Sequence, residues 1–470
     1  MRVARVSVGV VVAFGLICRL SQYAAHTSLW HDEAFVALNV TQKSFAGLFG
    51  PLDWNEPSPP GFLVIEKLVV AAFGRSESAL RLVPLLAGLG TMVGFAGLAR
   101  LCCGSGLATL WAVLLMAASD KLIAQANEVK HFTLDLLWAQ LLTLVALRCW
   151  LASDSQRQRI AGLLLWGTLG ALGLWLSFAS LFVFAGTSLV LAGQALRSWR
   201  ARPRAAYLLA NFMELGSLGL LGGPIRAQLT GTVVGFWTER FPDTSGAGAL
   251  LYWFGRAALG LLNYFWQPLG AVMLVVVSLG ALRFWRTGRR TPLLMLSMPV
   301  GLALAAAFLH RWPFGGNQHM SFAALAVLLL AGEGIEVMRR SLQRWRGWAG
   351  ATCTALVLLP GVIPAAYRIV RPRLRHEIRP VIEQVQQRVE PDDQLLVFCP
   401  AEFEFYTGRN VRGTSTEPDA RRRVWFIATR SDLRPFAAQD LLDRLSVRRV
   451  RLQAIEAYGA AAYLFAAEPR

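Results

Sequence analysis

Apolar runs long enough to cross a bilayer, about 20 residues each, recur along most of this chain. They sit near residues 4–22, 80–99, 105–120, 131–151, 160–177, 179–196, 205–223, 266–285, 291–309, 320–338 and 348–367. With 55% hydrophobic residues, 16% charged ones and a mean hydropathy of +0.44, the chain is not a soluble globular protein. It is expected to be a mostly α, polytopic helical membrane protein with about eleven spans. In a soluble protein the net charge of +18 would raise nucleic-acid binding. Here the cations belong to loops between spans, and no nucleic-acid partner is expected. The six cysteines show no CxxC spacing and no nearby His, so neither a disulfide framework nor structural zinc is indicated. Arg2 and Arg5 precede the first apolar run, and no small-residue cleavage site follows it, so that run is expected to be an uncleaved first span.

Basic residues in short loops orient such a chain, because they stay on the cytoplasmic side. A twelfth apolar segment, Gly61 to Gly74, is short for a core of about 30 Å and carries Glu66 and Lys67 side by side. If it lies flat on the membrane surface, the inner loops collect Arg2, Arg5, Arg100, Arg148, Arg157, Arg159 and the arginine groups at 197–204, 283–290 and 339–346. If it crossed, sixteen of these would face outward and only eight other cations inward. The non-spanning reading therefore puts the N-terminus in the cytoplasm of a bacterial inner membrane. Long loops at Ser21–Ser78, Asp120–Lys130 and Pro224–Phe265 then lie on the periplasmic or exterior side. Past Arg371 the apolar runs shorten. A helix at Arg373–Val389, strands at Leu395–Cys399 and Val424–Thr429 and a helix at Arg434–Leu445 predict a small α/β domain over 371–470, exported, after a transmembrane domain over 1–370.

Ionisable residues gather in the exported loops. The first opens with SLWHDEAF, which places His31, Asp32 and Glu33 near the outer end of the first span, although an acidic helix start in a solvated loop would read the same way. Further on, DWNEPSPPGF carries Asp53 and Glu56 ahead of Pro57, Pro59 and Pro60, whose fixed φ stiffens the segment enough to hold a second acid in place. In the second loop, ANEVKHFTLD supplies Lys130, His131 and, one helical turn further in, Asp135. A charge inside a membrane helix costs about 3 kcal/mol, so Asp135 is expected to face a polar cavity or a partner. The loop HRWPFGGNQHMSF brings Arg311 and His319 together with two glycines, a set able to hold an anion such as phosphate. GFWTERFPDTSG (235–246) is amphipathic and is expected to form a lid lying on lipid. Asn39-Val40-Thr41 fits the N-glycosylation pattern.

Taken together, WHDEA (30–34), NEPSPPGF (55–62), FGRSESALRLVPLLAG (73–88), NEVKHFTLD (127–135) and WPFGGNQH (312–319) resemble the GT-C glycosyltransferases, in the branch of protein O-mannosyltransferases and lipid A aminoarabinose transferases. The tail LRHEIRPVIEQVQQRVEPDDQLLVF, with EFYTG after it, resembles the exported α/β tail of bacterial members. The resemblance implies a sugar donated from a polyprenyl phosphate to an acceptor glycan, lipid or protein on the exterior face. It implies catalytic roles for Asp32, Glu33 and Asp135, with Glu56 near the same cavity. Lys130, His131, Arg311 and His319 are the candidate donor contacts. Some family members use a divalent metal and others do not, and Asp32 and Glu56 are the candidate ligands. Two departures stand out. Lys130, His131 and Phe132 occupy the place where relatives often carry Arg then Tyr. Pro57 stands where some lipid A relatives have Lys, which argues against that substrate. A transporter or flippase of lipid-linked sugars would require internal pseudo-symmetry, which the sequence lacks, while a non-catalytic subunit of the same fold would be expected to lose Asp32 or Asp135.

Overall fold

The computed structural model describes residues 2–151, 155–229, 235–411, 417–430 and 437–468. The chain forms two compact units. One comprises Met1–Ala24, Gly47–Glu66 and Arg81–Pro372, and the other Ala25–Ala46, Lys67–Leu80 and Arg373–Arg470. The second unit thus takes in, besides the tail, two stretches of the first loop.

The first unit is helical. Among the described residues nine helices are long and apolar enough to cross a membrane, and the protein is a multi-pass membrane protein. Nine of the eleven expected runs coincide with these nine. The run at 105–120 is the helix Gly106–Ala118, which at 1.5 Å per residue reaches about 20 Å and falls short of the apolar core. The run at 266–285 is the helix Gly270–Arg286. It forms a pair bent by 91° with Ala247–Phe265, a helix that falls within the expected exported loop Pro224–Phe265. The short apolar segment of the first loop is the helix Pro60–Phe73, which is not among the spans.

At the centre runs Ala324–Trp345, whose residues 324–336 are all buried against Gly106–Ala118, Gly270–Arg286 and Ala349–Val370. Lipid supplies no hydrophobic drive for helices to meet, so close approach of small residues does the work. A Cβ at Gly334 would collide with the Val276 carbonyl, one at Gly280 with the Leu330 carbonyl, and one at Gly332 would lie 2.6 Å from the Ala108 carbonyl. Two helices, one on each side, are therefore seated backbone-on on the central one.

In the second unit β1 (Gln394–Val397), β2 (Val424–Thr429), β3 (Arg451–Ala457) and β4 (Ala460–Phe465) form one sheet in the order β1-β2-β4-β3, with β1 and β2 parallel and the other pairs antiparallel. Alternation along β2 sends Trp425 and Ile427 to one face, against Ile378, Val381 and Ile382 of the helix Ile378–Gln386, and Val424 and Phe426 to the other, against Leu441 and Leu445 of the helix Ala437–Arg448. The expected strand Val424–Thr429 appears with those bounds, and the other expected helices and strand appear with shorter or shifted ends. Residues 434–436 of the last expected helix lie outside the described residues. The hairpin β3–β4 was not anticipated. Its turn needs Gly459, with φ of +69°, where a Cβ would also lie 2.7 Å from the Arg375 carbonyl.

Below β1 and β2 a buried Asp393 accepts two hydrogen bonds from Arg423, at 2.7 and 3.0 Å, and one from the Trp425 indole at 3.1 Å. Burial alone would raise the carboxyl's pKa. The bonds from Arg423, the Glu390 amide and Trp425 outweigh it and hold the group below its usual range.

Replacing Gly334 with Val is expected to cost about 1–3 kcal/mol of stability by overpacking, read as a lower unfolding midpoint in detergent; an unchanged midpoint would show that these helices have room to separate. The depressed pKa of Asp393 makes its contribution to stability complete above the carboxyl's unfolded pKa of about 3.9 and lost as pH falls through the lower folded value. The tail's melting temperature is accordingly expected to drop with acidification in that window, with Asp393→Asn both less stable and flatter in pH. Identical pH profiles for the two proteins would refute the linkage.

Candidate active site

The turn between Gln125 and the helix Phe132–Leu151 is pulled inside the first unit. The Gln125 amide donates to Tyr264 Oη and Ser321 Oγ, both at 2.8 Å, and its backbone carbonyl accepts from Thr133 Oγ1 at 2.8 Å. Residues 127–131 are consequently buried. Lys130 is 1% exposed, and its Nζ lies 2.5 Å from Glu56 Oε1, while Glu56 keeps 19% of its side chain open. An ammonium removed from water is costly unless paired, and this contact supplies the pairing carboxylate.

Glu56 reaches that position through an unusual backbone. Trp54 and Asn55 take left-handed φ values of +66° and +52°, and the prolines that follow admit few conformations. The Ser58 amide then donates to Gln228 Oε1 at 3.0 Å. Gly61 allows the start of Pro60–Phe73 to touch Trp175, since a Cβ there would lie 2.6 Å from the Trp175 carbonyl. Farther along this helix Glu66 is fully buried, its two oxygens lack a hydrogen-bond partner among the described residues, and burial pushes its carboxyl well above the usual range. The adjacent Lys67 does not pair with it: the Lys67 ammonium bonds the Val40 carbonyl instead.

His131 Nε2 lies 4.0 Å from Asp135 Oδ2, one turn along the helix, and its ring is flanked by those of Phe62, Phe132 and Phe178. Burial, then the neighbouring His319 and Lys130, hold His131 well below its usual pKa. It is a neutral hydrogen-bonding group and contributes no positive charge. Asp135 is buried with both oxygens unbonded among the described residues. His319 sits at the start of the short helix Gln318–Ala323, its amide bonded to Asn317 Oδ1 at 3.0 Å, with its ring 5.1–5.8 Å from those of Trp237, Phe132 and Trp312. The first unit thus brings together Glu56, Lys130, His131, Asp135 and His319. Arg311 is exposed, and no contact among the described residues joins it to them.

Two cations the sequence reading passed over border a cavity of about 370 Å³ next to this group. Arg240 and Arg256 line it with Trp253, Asn263, Tyr264 and Phe314. The Phe314 amide bonds the Arg240 carbonyl, and the Arg256 guanidinium bonds the Glu239 carbonyl at 2.8 Å. Gly315 and Gly316 close the same wall: Gly315 has φ of +111°, and a Cβ on Gly316 would run into the Gly260 carbonyl. Arg240 belongs to the segment expected to lie on lipid. Its exposed Phe236 fits that expectation and its cavity-lining arginine adds to it; residues 230–234 of that loop lie outside the described residues.

His31, Asp32 and Glu33 begin the helix His31–Gln42 of the second unit. The preceding chain is tightly held: Ser28 donates twice to Glu377, the Leu29 amide to Tyr406 Oη at 2.7 Å, and the Arg375 guanidinium stacks 3.9 Å from the centre of the Trp30 ring. Glu33 is buried and accepts a hydrogen bond from the Trp30 amide at 3.2 Å, which closes the first turn of the helix. His31 Nδ1 is 3.5 Å from the buried Glu402. Asp32 is half-buried, and among the described residues no hydrogen bond or ion pair engages its carboxylate. Asn39 is buried inside the same helix, with its amide bonded to the Phe35 carbonyl, so the glycosylation pattern there is closed off. No group of three or more His, Cys, Asp or Glu side chains among the described residues is arranged to hold a metal ion. The two candidate metal ligands, Asp32 and Glu56, belong to different units.

A double-mutant cycle on Lys130→Met and Glu56→Gln is expected to return a coupling of about 0.5–3 kcal/mol in detergent unfolding. Additivity within about 0.3–0.5 kcal/mol would mean that the pair contributes nothing to holding the turn.

No protein-family model and no curated protein matches the sequence. Solved structures do match in fold. ArnT from Cupriavidus metallidurans in the apo state superposes with a TM-score of 0.57 at 15% identity over 97% of this chain and 98% of that one. The same protein bound to undecaprenyl phosphate gives 0.56 at 13%, over 97% of each. The oligosaccharyltransferase AglB from Archaeoglobus fulgidus, with an inhibitory peptide and a dolichol-phosphate, gives 0.52 at 12% over 87% of this chain, which spans 64% of its length.

Proposed function

This chain has the fold of the GT-C glycosyltransferases, and from that premise we propose that it moves a sugar from a polyprenyl-phosphate donor to an acceptor on the exported face of a bacterial inner membrane. The observation that carries the proposal is the buried Lys130–Glu56 pair beside His131, Asp135 and His319. A buried cation needs an anion, and only one side of this pair is open to exchange. We take that anion to be the phosphate of the donor, a reading supported by the undecaprenyl phosphate and dolichol-phosphate bound by ArnT and AglB, with Lys130 as a charge-assisted contact, His319 and His131 as hydrogen-bonding groups, and Arg240 and Arg256 supplying charge from the adjoining cavity.

Asp32 is the general base. Its carboxylate takes the proton of the acceptor hydroxyl as that oxygen bonds to the anomeric carbon, while the carbon–oxygen bond to phosphate breaks and the phosphate leaves with the electron pair. One displacement with one base inverts the anomeric centre. Asp135, lying behind His131, orients that imidazole, and Glu33 fixes the helix that presents Asp32. The transmembrane part through 370 carries the donor contacts, and the region 371–470, on the exported side, braces the loop that bears Asp32. The positive-inside count supports this orientation.

In membranes supplied with polyprenyl-phosphate sugars, Asp32→Asn is expected to lower turnover by about 10²–10⁴-fold at normal expression. Full turnover would remove Asp32 from the reaction. Mass spectrometry of co-purifying lipid is expected to find a polyprenyl phosphate or its glycoside.

A further inference from the structure

At the opposite end of the helical unit, where the basic loops gather, lies a second hollow of about 300 Å³. Arg283 and Arg286 on the last turn of Gly270–Arg286, and Arg340 and Arg344 on the last turns of Ala324–Trp345, face it together with Glu333 and Glu336. Both carboxylates are already engaged. Glu333 binds the Arg289 guanidinium at 2.6 Å and the Gly104 amide at 3.1 Å, and Glu336 takes Arg339 and Arg340 at 2.6–2.8 Å. Arg283, Arg286 and Arg344 are left with no acid partner among the described residues. Like charges three and four residues apart on a helix repel each other, so a concave cluster of this kind is stable with an anion in it. The floor is apolar, formed by Leu279, Leu282 and Val337, and the exposed Trp285, Trp345 and Trp348 lie on the same turns and the loop after them, as side chains do at the edge of a bilayer.

We propose that this hollow binds a phosphate ester, namely the headgroup of an anionic membrane lipid, with the arginines on the phosphate and the first part of the acyl chains along the leucines. This site is separate from the donor site and does not depend on the reaction assigned above. The test uses the full-length protein in neutral detergent, with binding read by native mass spectrometry and by thermal shift. The probes are dioleoylphosphatidylglycerol, dioleoylphosphatidylcholine and inorganic phosphate. The wild type is expected to bind the phosphatidylglycerol in preference to the phosphatidylcholine, and Arg283→Gln/Arg286→Gln/Arg344→Gln to bind it about a hundredfold more weakly, at roughly fivefold per arginine. Inorganic phosphate competing at equal concentration would support the phosphate chemistry and assign it to a soluble ion. Equal affinity of wild type and variant, or equal response to the two lipids, overturns the proposal. Should the triple variant not fold, Arg344→Gln alone is expected to lose about fivefold, and unchanged binding by it overturns the proposal equally.

Discussion

A lysine ammonium almost wholly withdrawn from solvent is the constraint around which the helical unit is arranged. Born costs for such an ion are large enough that the surrounding chain must supply a carboxylate, and the nearest one comes from a loop more than seventy residues earlier in sequence. Holding Glu56 there requires left-handed backbone at Trp54 and Asn55 and prolines on its far side. Holding Lys130 there requires the Gln125 side chain to tie the preceding turn to Tyr264 and Ser321. Strained backbone and buried polar bonds gather where a site needs fixed charges, and each would be a liability anywhere else.

The second unit solves a different problem. The loop that carries Asp32 leaves the first span without regular structure, yet its backbone donors are taken up by Glu377 and Tyr406, and Trp30 is covered by Arg375. Tyr406 in turn donates to Glu77, which also receives Arg379 at 2.8 Å. Three stretches distant in sequence are thereby knotted into one polar network. The C-terminal stretch of this unit braces the loop before Asp32 as much as it builds a sheet of its own.

Much of this was legible beforehand. Nine spans follow from apolar runs because a helix in lipid must be apolar along its whole length. The acids and the lysine stood out because charge at a membrane boundary is rare. Gly106–Ala118 and the bent pair Ala247–Phe265 with Gly270–Arg286 were misjudged, since hydropathy measures lipid compatibility and says nothing of a helix stopping early or turning through 91°. Glu33 also accepts a bond from the Trp30 amide at the helix start, a role that a carboxylate at the third helical position can fill and that the sequence does not separate from chemistry. Arg240 and Arg256 escaped notice because one lies in an amphipathic segment and the other in a helix taken for loop. Only the folded cavity shows that they converge. The hairpin β3–β4 was missed for want of a strong turn signal beyond Tyr458-Gly459.

One helix ties the two polar ends of the first unit together. Ala324–Trp345 begins directly after the turn that carries His319 and ends among the arginines of the second hollow. Its 22 residues rise about 33 Å, close to the thickness of a bilayer's apolar core, about 30 Å. Its first thirteen are buried, and the first charged side chains along it, Glu333 and Glu336, are neutralised by Arg289, Arg339 and Arg340. The rod carries no charge over its first nine residues and is charged from Glu333 onward, so the second hollow begins about 14 Å along it and extends to Arg344 near its end. The distribution of ionisable groups along it is therefore a consequence of the solvent on either side, and the chemistry at each end follows from which charges that solvent leaves unpaired.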